Sequence, residues 1–194
     1  MVQDVDLGRT GILQGVRILD LTHIVCGPYA TMYLAMLGAE VIKIENLKTE
    51  GDECRKAGPL RGNTSLRFCT LNHNKSSIVI DLAREEGRTL FLELVKKADV
   101  VVENFRPGVM EKLGLGYDVL KKSNAALISA APPGFGSYQP HRHTPAYDVI
   151  AQAMSGLCCL NGEDGSPPVK VGTSIGDIIA GTHLVIGILA ALLE

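Results

Sequence analysis

Short runs of aliphatic and β-branched residues alternate along the chain with longer segments that carry helix signals. The runs predict five strands, at 16–21, 40–45, 76–82, 99–105 and 125–131. Two segments between them predict helices, 27–39 and 84–98: the first opens with Gly-Pro and closes with Gly, and the second has lysines in its last turn. Strands separated by helices need crossover connections, so the pattern predicts an α/β fold with a parallel sheet flanked by helices.

The last apolar segment, 178–193, is nearly free of polar side chains. It is shorter than the roughly 20 residues that a membrane span needs, and it contains two glycines and His183. The segment therefore predicts a buried helix with His183 as an interior group, and no membrane partner is expected.

Composition and charge narrow the class of protein. The chain has 194 residues, of which 46% are hydrophobic, and a formal net charge of -2, which favours one soluble globular domain and offers no broad basic surface for nucleic acid. Its five cysteines have neither paired nor zinc-site spacing, so we expect reduced thiols and a cytoplasmic location, an organelle matrix being the alternative. Residues 1–14 predict a flexible lead-in, and 15–194 the folded domain.

The loops that follow the predicted strands carry the chemistry. In parallel α/β sheets, ligands usually bind at the carboxyl ends of the strands, where the strand order reverses. The segments 22–28, 45–52 and 103–108 occupy such positions and predict one shared crevice. The sequence has neither GxGxxG nor GxxxxGK[ST], which argues against a simple dinucleotide site or P-loop.

Asp177 stands alone in "GTSIGDIIAGTH", between a small-residue run and an apolar one. It has two compatible interpretations, a helix N-cap and a nucleophilic carboxylate. Gly176 before it allows a ligand to approach closely, and a helix N-terminus favours an ionised carboxylate.

Five blocks give the sequence a family resemblance. They are "GVRILDLTHIVCGPYATMYLAMLGAEVIKIE", "NHNKSSIVIDL", "VVVENFRPGVMEKLGLGYD", "PAYDVIAQAMSGL" and "VGTSIGDIIAGTHLVIGILAAL". In order and spacing they resemble the class III CoA-transferases. The resemblance implies the N-terminal part of that fold, with a Rossmann-like sheet, and transfer of coenzyme A from an acyl-CoA to a free carboxylic acid. It implies an aspartyl-acyl anhydride on Asp177 and no cofactor besides CoA as substrate.

The same resemblance implies a set of CoA contacts. They are Val25, Cys26, Asn46, Ile80, Asp81, Leu82, Ala83, Asn104, Phe105, Arg106, Lys112 and Tyr147. Lys112 would meet a phosphate, where a positive charge is needed. The sequence departs from formyl-CoA transferase-like members at two of these positions, with Val25 in place of glutamine and Asn46 in place of arginine. The acyl donor and the acceptor acid therefore stay open, and Lys75 is expected to be an ordinary surface lysine.

Two alternatives remain at this point. An α-methylacyl-CoA racemase would use a histidine where Tyr147 stands, and tyrosine phenols, which titrate near about pH 10, are poor bases. Family members are roughly twice this length, so a CoA-binding or interaction module without turnover is the second alternative, and a homodimer or a second chain is the expected partner.

"HRH" at 141–143 lacks suitably spaced partners, so no metal site is predicted.

Overall fold

The structure, a computed structural model, describes residues 10–136, 140–142 and 144–194. Its main sheet contains five parallel strands in the order β5-β2-β1-β6-β7, and β3 and β4 form a separate antiparallel hairpin. The strands are β1 (Arg17–Asp20), β2 (Glu40–Glu45), β3 (Leu60–Arg61), β4 (Thr64–Ser65), β5 (Ser76–Val79), β6 (Val100–Val102) and β7 (Ile128–Ala130). The predicted α/β class is confirmed, and the five predicted strands are present, β2 with the predicted bounds and the other four shorter.

Eight α-helices accompany these strands in the described part of the chain. They are α1 (Cys26–Met36), α2 (Leu66–Asn72), α3 (Glu85–Val95), α4 (Val109–Lys112), α5 (Tyr117–Ser123), α6 (Asp148–Met154), α7 (Leu157–Leu160) and α8 (Ile175–Leu192). The sequence patterns predicted α1, α3 and α8. The other helices are too short for a repeating pattern of apolar residues to predict them.

Alternate residues of a strand point to opposite faces of the sheet. Both faces are covered here, so each forms a core. Leu19 and Val101 join one core with α3 and α5, while Ile18 and Val100 join the other with α1 and α8. Two buried faces explain why the central strands are nearly continuous hydrophobic runs.

The lead-in is partly integrated into this core. Leu13 is buried, and its main-chain N–H donates to the carbonyl of Leu37 at 3.0 Å. Residues 1–9 lie outside the described residues, so a flexible lead-in stays a prediction there.

Helix α8 corrects one sequence prediction. It begins at Ile175, and only 11% of its 18 residues are buried, although its mean hydropathy is 1.9. The helix packs against α1, α6 and β7 with one side only, so Ile179, His183 and Ile186 are exposed. The expected buried helix with an interior His183 is therefore wrong for this chain. By length and composition alone, α8 also has what a membrane span requires.

Candidate active site

A cleft of about 370 Å³ opens at the carboxyl ends of β1 and β6. These neighbouring strands mark the point where the strand order reverses, the usual ligand position in such sheets. The walls come from the loops that follow β1, β6 and β7, and from α6 and the first turns of α8. The crevice expected from the loop positions is therefore present.

Asp177 lies in this cleft, in the first turn of α8. Ser174 occupies the N-cap position, so Asp177 is three residues too late to be the cap. Burial, the largest cause, and the Asp148 carboxylate raise the pKa of Asp177, Arg67 opposes both, and the resulting pKa is about 6. This pKa is raised even though Asp177 lies in the first turn of a helix, where the dipole favours the ionised form.

The missing cap comes from Asp148, which the sequence reading did not single out. Its Oδ1 accepts hydrogen bonds from the main-chain N–H groups of Gly176, at 2.7 Å, and Asp177, at 3.4 Å. The sequence feature that could have pointed to Asp148 is the Asp-x-x-x-Gln spacing in "YDVIAQ", which puts Asp148 and Gln152 one helical turn apart.

The loop after β1 is held from several sides. The Asn104 side-chain amide makes two hydrogen bonds of 2.8 Å with the main chain of His23, one to its N–H and one to its carbonyl. Asp52 Oδ1 accepts from the Ile24 N–H at 3.1 Å, and Lys43 Nζ donates to the Thr22 carbonyl at 2.7 Å. Ile24 has a φ of 69°, which is unusual for a β-branched residue and is sustained by these contacts.

Two buried ion pairs lie beneath this loop. Lys43 pairs with Asp52, and Lys75 pairs with Asp20, each at 3.0 Å. Burial alone would raise the pKa of Asp20, but the Lys75 and Lys43 charges, together with hydrogen bonds from Thr22 and Thr31, outweigh burial and hold that pKa well below its usual range. The Lys75 side chain is 1% exposed, so its assignment to the ordinary surface is wrong.

Aromatic and sulfur groups form the wall near the loop. The rings of His23 and Phe105 lie 5.2 Å apart between centroids, and burial together with the Lys43 charge lowers the pKa of His23. Burial and the Asp177 charge raise the pKa of Cys26 to about 12, so its thiol stays protonated. Of these two neighbouring groups, Asp177 rather than Cys26 is therefore the available nucleophile.

The cleft brings together seven of the residues predicted for the site. They are Val25, Cys26, Asn104, Phe105, Arg106, Tyr147 and Asp177. Tyr147 is 60% exposed, at the junction between the cleft wall and α6.

The other predicted contacts lie outside this cleft. Asn46 caps a 3-10 turn by accepting from the Lys48 N–H, and Asp81 accepts from the Ala83 N–H and pairs with Lys48. Ile80 and Leu82 are buried in the core around β2 and α3. Lys112 is exposed at the end of α4. Their roles toward CoA stay predictions.

A second cleft of about 420 Å³ adjoins the first, and Asn104 to Pro107 line both. Glu103 lies in its wall, where burial raises the carboxyl pKa to about 7 despite a hydrogen bond from the Phe105 N–H, with a further contribution from Glu111.

Within residues 10–136, 140–142 and 144–194, no three His, Cys, Asp or Glu side chains are grouped to hold a metal ion. His141 is among these residues, whereas His143 of the "HRH" segment lies outside them.

Known proteins share both the sequence and the fold. The model of CoA-transferase family III matches residues 13–194. The chain is 48% identical over 183 residues to the acetyl-CoA:oxalate CoA-transferase of Acetobacter aceti, which covers 94% of this chain and 47% of that protein. It is 43% identical to the succinyl-CoA--L-malate CoA-transferase alpha subunit of Chloroflexus aurantiacus, over 93% of this chain and 42% of the other.

Structural similarity agrees with the sequence comparison. The crystal structure of a CaiB/BaiF family protein from Brucella suis superposes with a TM-score of 0.89 at 39% identity, covering 94% of this chain and 49% of that one. The chain thus spans about half the length of the relatives it matches. With its parallel sheet, its switch-point cleft and a family match over residues 13–194, the chain belongs to CoA-transferase family III.

Proposed function

We propose that the protein moves coenzyme A from an acyl-CoA to a free carboxylic acid, with Asp177 as the nucleophile. The observation that carries the proposal is the position of Asp177 in the switch-point cleft beside Val25, Cys26 and Asn104. Relatives of this chain are named CoA-transferases, which supports the same reaction class.

The charge state of Asp177 suits this role. With a pKa of about 6, the carboxyl group is mostly ionised at neutral pH, yet it is more basic than an ordinary aspartate. Greater basicity generally makes an ionised oxygen a stronger nucleophile.

The reaction balances with the carboxylate alone. An Asp177 oxygen attacks the thioester carbonyl carbon, the C–S bond breaks, and CoA leaves as its thiolate, giving an aspartyl-acyl anhydride. The thiolate attacks the aspartyl carbonyl, which releases the donor acid and forms an aspartyl-CoA thioester. The acceptor carboxylate then attacks the aspartyl carbonyl, the C–S bond breaks, and a second anhydride forms between Asp177 and the acceptor. The thiolate attacks the acceptor carbonyl of this anhydride, the C–O bond to the Asp177 oxygen breaks, and the new acyl-CoA leaves as the Asp177 carboxylate is regenerated. Every intermediate remains an activated acyl species, so the reaction requires that water be kept out.

The cleft supplies groups for binding the substrates. Val25, Phe105 and the prolines after β7 provide apolar walls, whereas Arg106 lines both clefts and offers a positive charge to an anionic ligand. The relatives' printed names include oxalate and malate as acids, and acetyl-CoA and succinyl-CoA as donors. We propose a small carboxylic acid as acceptor.

A panel assay tests the function. Acetyl-, formyl- and succinyl-CoA are each incubated with a set of mono- and dicarboxylic acids, and new acyl-CoA products are separated by chromatography. We expect exchange with at least one pair and none with Asp177→Asn. CoA binding without exchange by any pair would instead support a CoA-binding module, and α-proton exchange in a branched acyl-CoA would support the racemase alternative.

We also propose that a second copy or a second chain completes the assembly. The uncovered side of α8 supports this, as does the naming of one relative as an alpha subunit. A cytoplasmic location, and the lack of nucleic-acid and membrane partners, belong to the same proposal.

A further inference from the structure

The start of α8 depends on a side chain from another helix. First-turn N–H groups have no partner within their own helix, and Ser174 at the N-cap makes no side-chain hydrogen bond. Asp148 on α6 supplies the acceptor, because its Oδ1 lies 2.7 Å from the Gly176 nitrogen and 3.4 Å from that of Asp177. The turn that carries Asp177 is therefore tied to α6.

Gln152 extends this attachment along the approach to α8. Its Nε2 donates to Asp148 Oδ2 at 2.7 Å and to the Thr173 carbonyl at 3.2 Å, and its Oε1 accepts from the Val171 N–H at 2.8 Å. Gln152 is 1% exposed, so these bonds are shielded from competing water. One turn of α6 thus holds residues 171–177 at several main-chain points.

Gly176 fits this arrangement. A Cβ added at Gly176 would lie 3.0 Å from Asp148 Oδ1, which is tighter than ordinary van der Waals contact. The glycine before Asp177 therefore lets the two elements approach closely, a reason that the sequence alone did not reveal.

We propose that Asp148 is a positioning residue for Asp177: its carboxylate fixes the main chain of the Asp177 turn and places a second negative charge beside the attacking carboxylate. This inference rests on the proposed function in that it takes Asp177 as the nucleophile. When Asp177 forms an anhydride it loses its charge, so the repulsion from Asp148 present in the free protein is relieved in the intermediate.

Groups from three elements face the Asp177 carboxyl. Asp148 approaches from α6, Cys26 from α1, and the exposed Arg67 from α2. Burial is the largest cause of the raised Asp177 pKa, the Asp148 charge is the next, and Arg67 acts in the opposite direction. Removing the Asp148 charge should therefore lower the Asp177 pKa without returning it to the ordinary value.

The first test measures that pKa directly in the 194-residue chain. Carbon-13 NMR titration of labelled aspartates, with Asp177 assigned by its absence in Asp177→Asn, compares the parent with Asp148→Asn. We expect a downward shift of about 0.5 to 1 unit in Asp148→Asn. Asp118→Asn, at another helix's first turn but on the exposed surface and outside both clefts, is the matched control and should leave the titration unchanged. An unchanged Asp177 pKa in Asp148→Asn would overturn the proposed charge effect.

The second test measures the cap. Amide hydrogen exchange at Gly176 and Asp177 should be slow in the parent and at least about tenfold faster in Asp148→Ala, which removes the acceptor. Asp148→Asn keeps an acceptor for Gly176 and should lose less protection, which also covers the case in which the alanine variant fails to fold. Rapid exchange of both amides in the parent would overturn the positioning role. Neither readout needs turnover, so retained transfer by Asp177→Asn would refute the proposed nucleophile while leaving both results interpretable.

Discussion

Asp177 combines two properties that an exposed aspartate lacks, namely a raised pKa and a main chain held by another helix. Its folded-state pKa, about 6, exceeds the 3.8 of an ordinary aspartate. The folded protein therefore binds this proton more tightly than the unfolded chain does, so the group favours folding at low pH and loses that contribution as pH rises through about 6.

The raised pKa of Asp177 predicts how Asp177→Asn changes the stability of the folded protein. At pH 7.5 the variant should be more stable than the parent by about 1 kcal/mol, after allowance for partial solvent screening, because a half-buried charge is removed. The difference should shrink as the pH is lowered through 6 toward 4, and thermal unfolding across this range measures it. Asp118→Asn is the control, and a parent that is the more stable of the two at pH 7.5 would contradict the assignment.

At the level of elements, the sequence predicted the sheet, α1, α3 and α8. Their apolar patterns, and the Gly-Pro and Gly that bound α1, can be recognised within a short stretch of sequence. It could not indicate that Lys75 turns inward to Asp20, that Asp148 caps a helix 28 residues away, or that Asn104 holds His23. Those contacts depend on which loops the topology brings together. The rule on strand ends was enough to place Val25 and Asn104 in one cleft, whereas Asp177 was assigned to the site by the family resemblance.

The Asn104 clamp gives one prediction. Asn104→Ala leaves the His23 N–H and carbonyl without their partners and frees the strained Ile24 turn. We expect a loss of about 1 to 3 kcal/mol of stability, together with weaker CoA binding. Calorimetric unfolding and CoA titration measure the two effects. The exposed Asn63→Ala is the matched control, and equal behaviour of both variants would show that the clamp is unimportant.

The contact between α1 and α8 gives a second prediction. A Cβ at Gly181 would lie 2.7 Å from the Cys26 carbonyl oxygen, whereas a Cβ at Gly187 in the same helix meets no atom within 4 Å. Gly181→Ala should therefore cost about 1 to 3 kcal/mol by forcing the helices apart. Gly187→Ala should gain about 0.5 to 1 kcal/mol from helix propensity. Denaturant unfolding compares them, and a stabilising Gly181→Ala would refute the close packing.

On the scale of the whole molecule, α8 presents an exposed apolar surface. The helix is strongly apolar and only 11% of its residues are buried, and the chain spans about half the length of the relatives it matches. An apolar surface of this kind in the free chain favours association. The sequence could show the apolar run but not which side of it the sheet would leave uncovered.

Association of the chain is the corresponding prediction. We expect dimers or larger species by light scattering, or binding of an apolar dye, and we expect Ile186→Glu to reduce both. Leu160→Glu, which changes an apolar residue on α7 that is more exposed than Ile186 (86% against 58%), is the control. A parent chain that stays monomeric over a wide concentration range and binds no dye would contradict this account of α8.

The most direct test of the central claim is chemical trapping of Asp177 during turnover. Hydroxylamine attacks an aspartyl anhydride or aspartyl-CoA thioester at the aspartyl carbonyl and leaves a hydroxamate. When the protein transfers CoA between an acyl-CoA and an acid, peptide mass spectrometry should find the hydroxamate at Asp177, dependent on acyl-CoA and absent from Asp177→Asn, which should not transfer CoA. Full transfer by Asp177→Asn, with no adduct on the Asp177 peptide of the parent, would contradict the account.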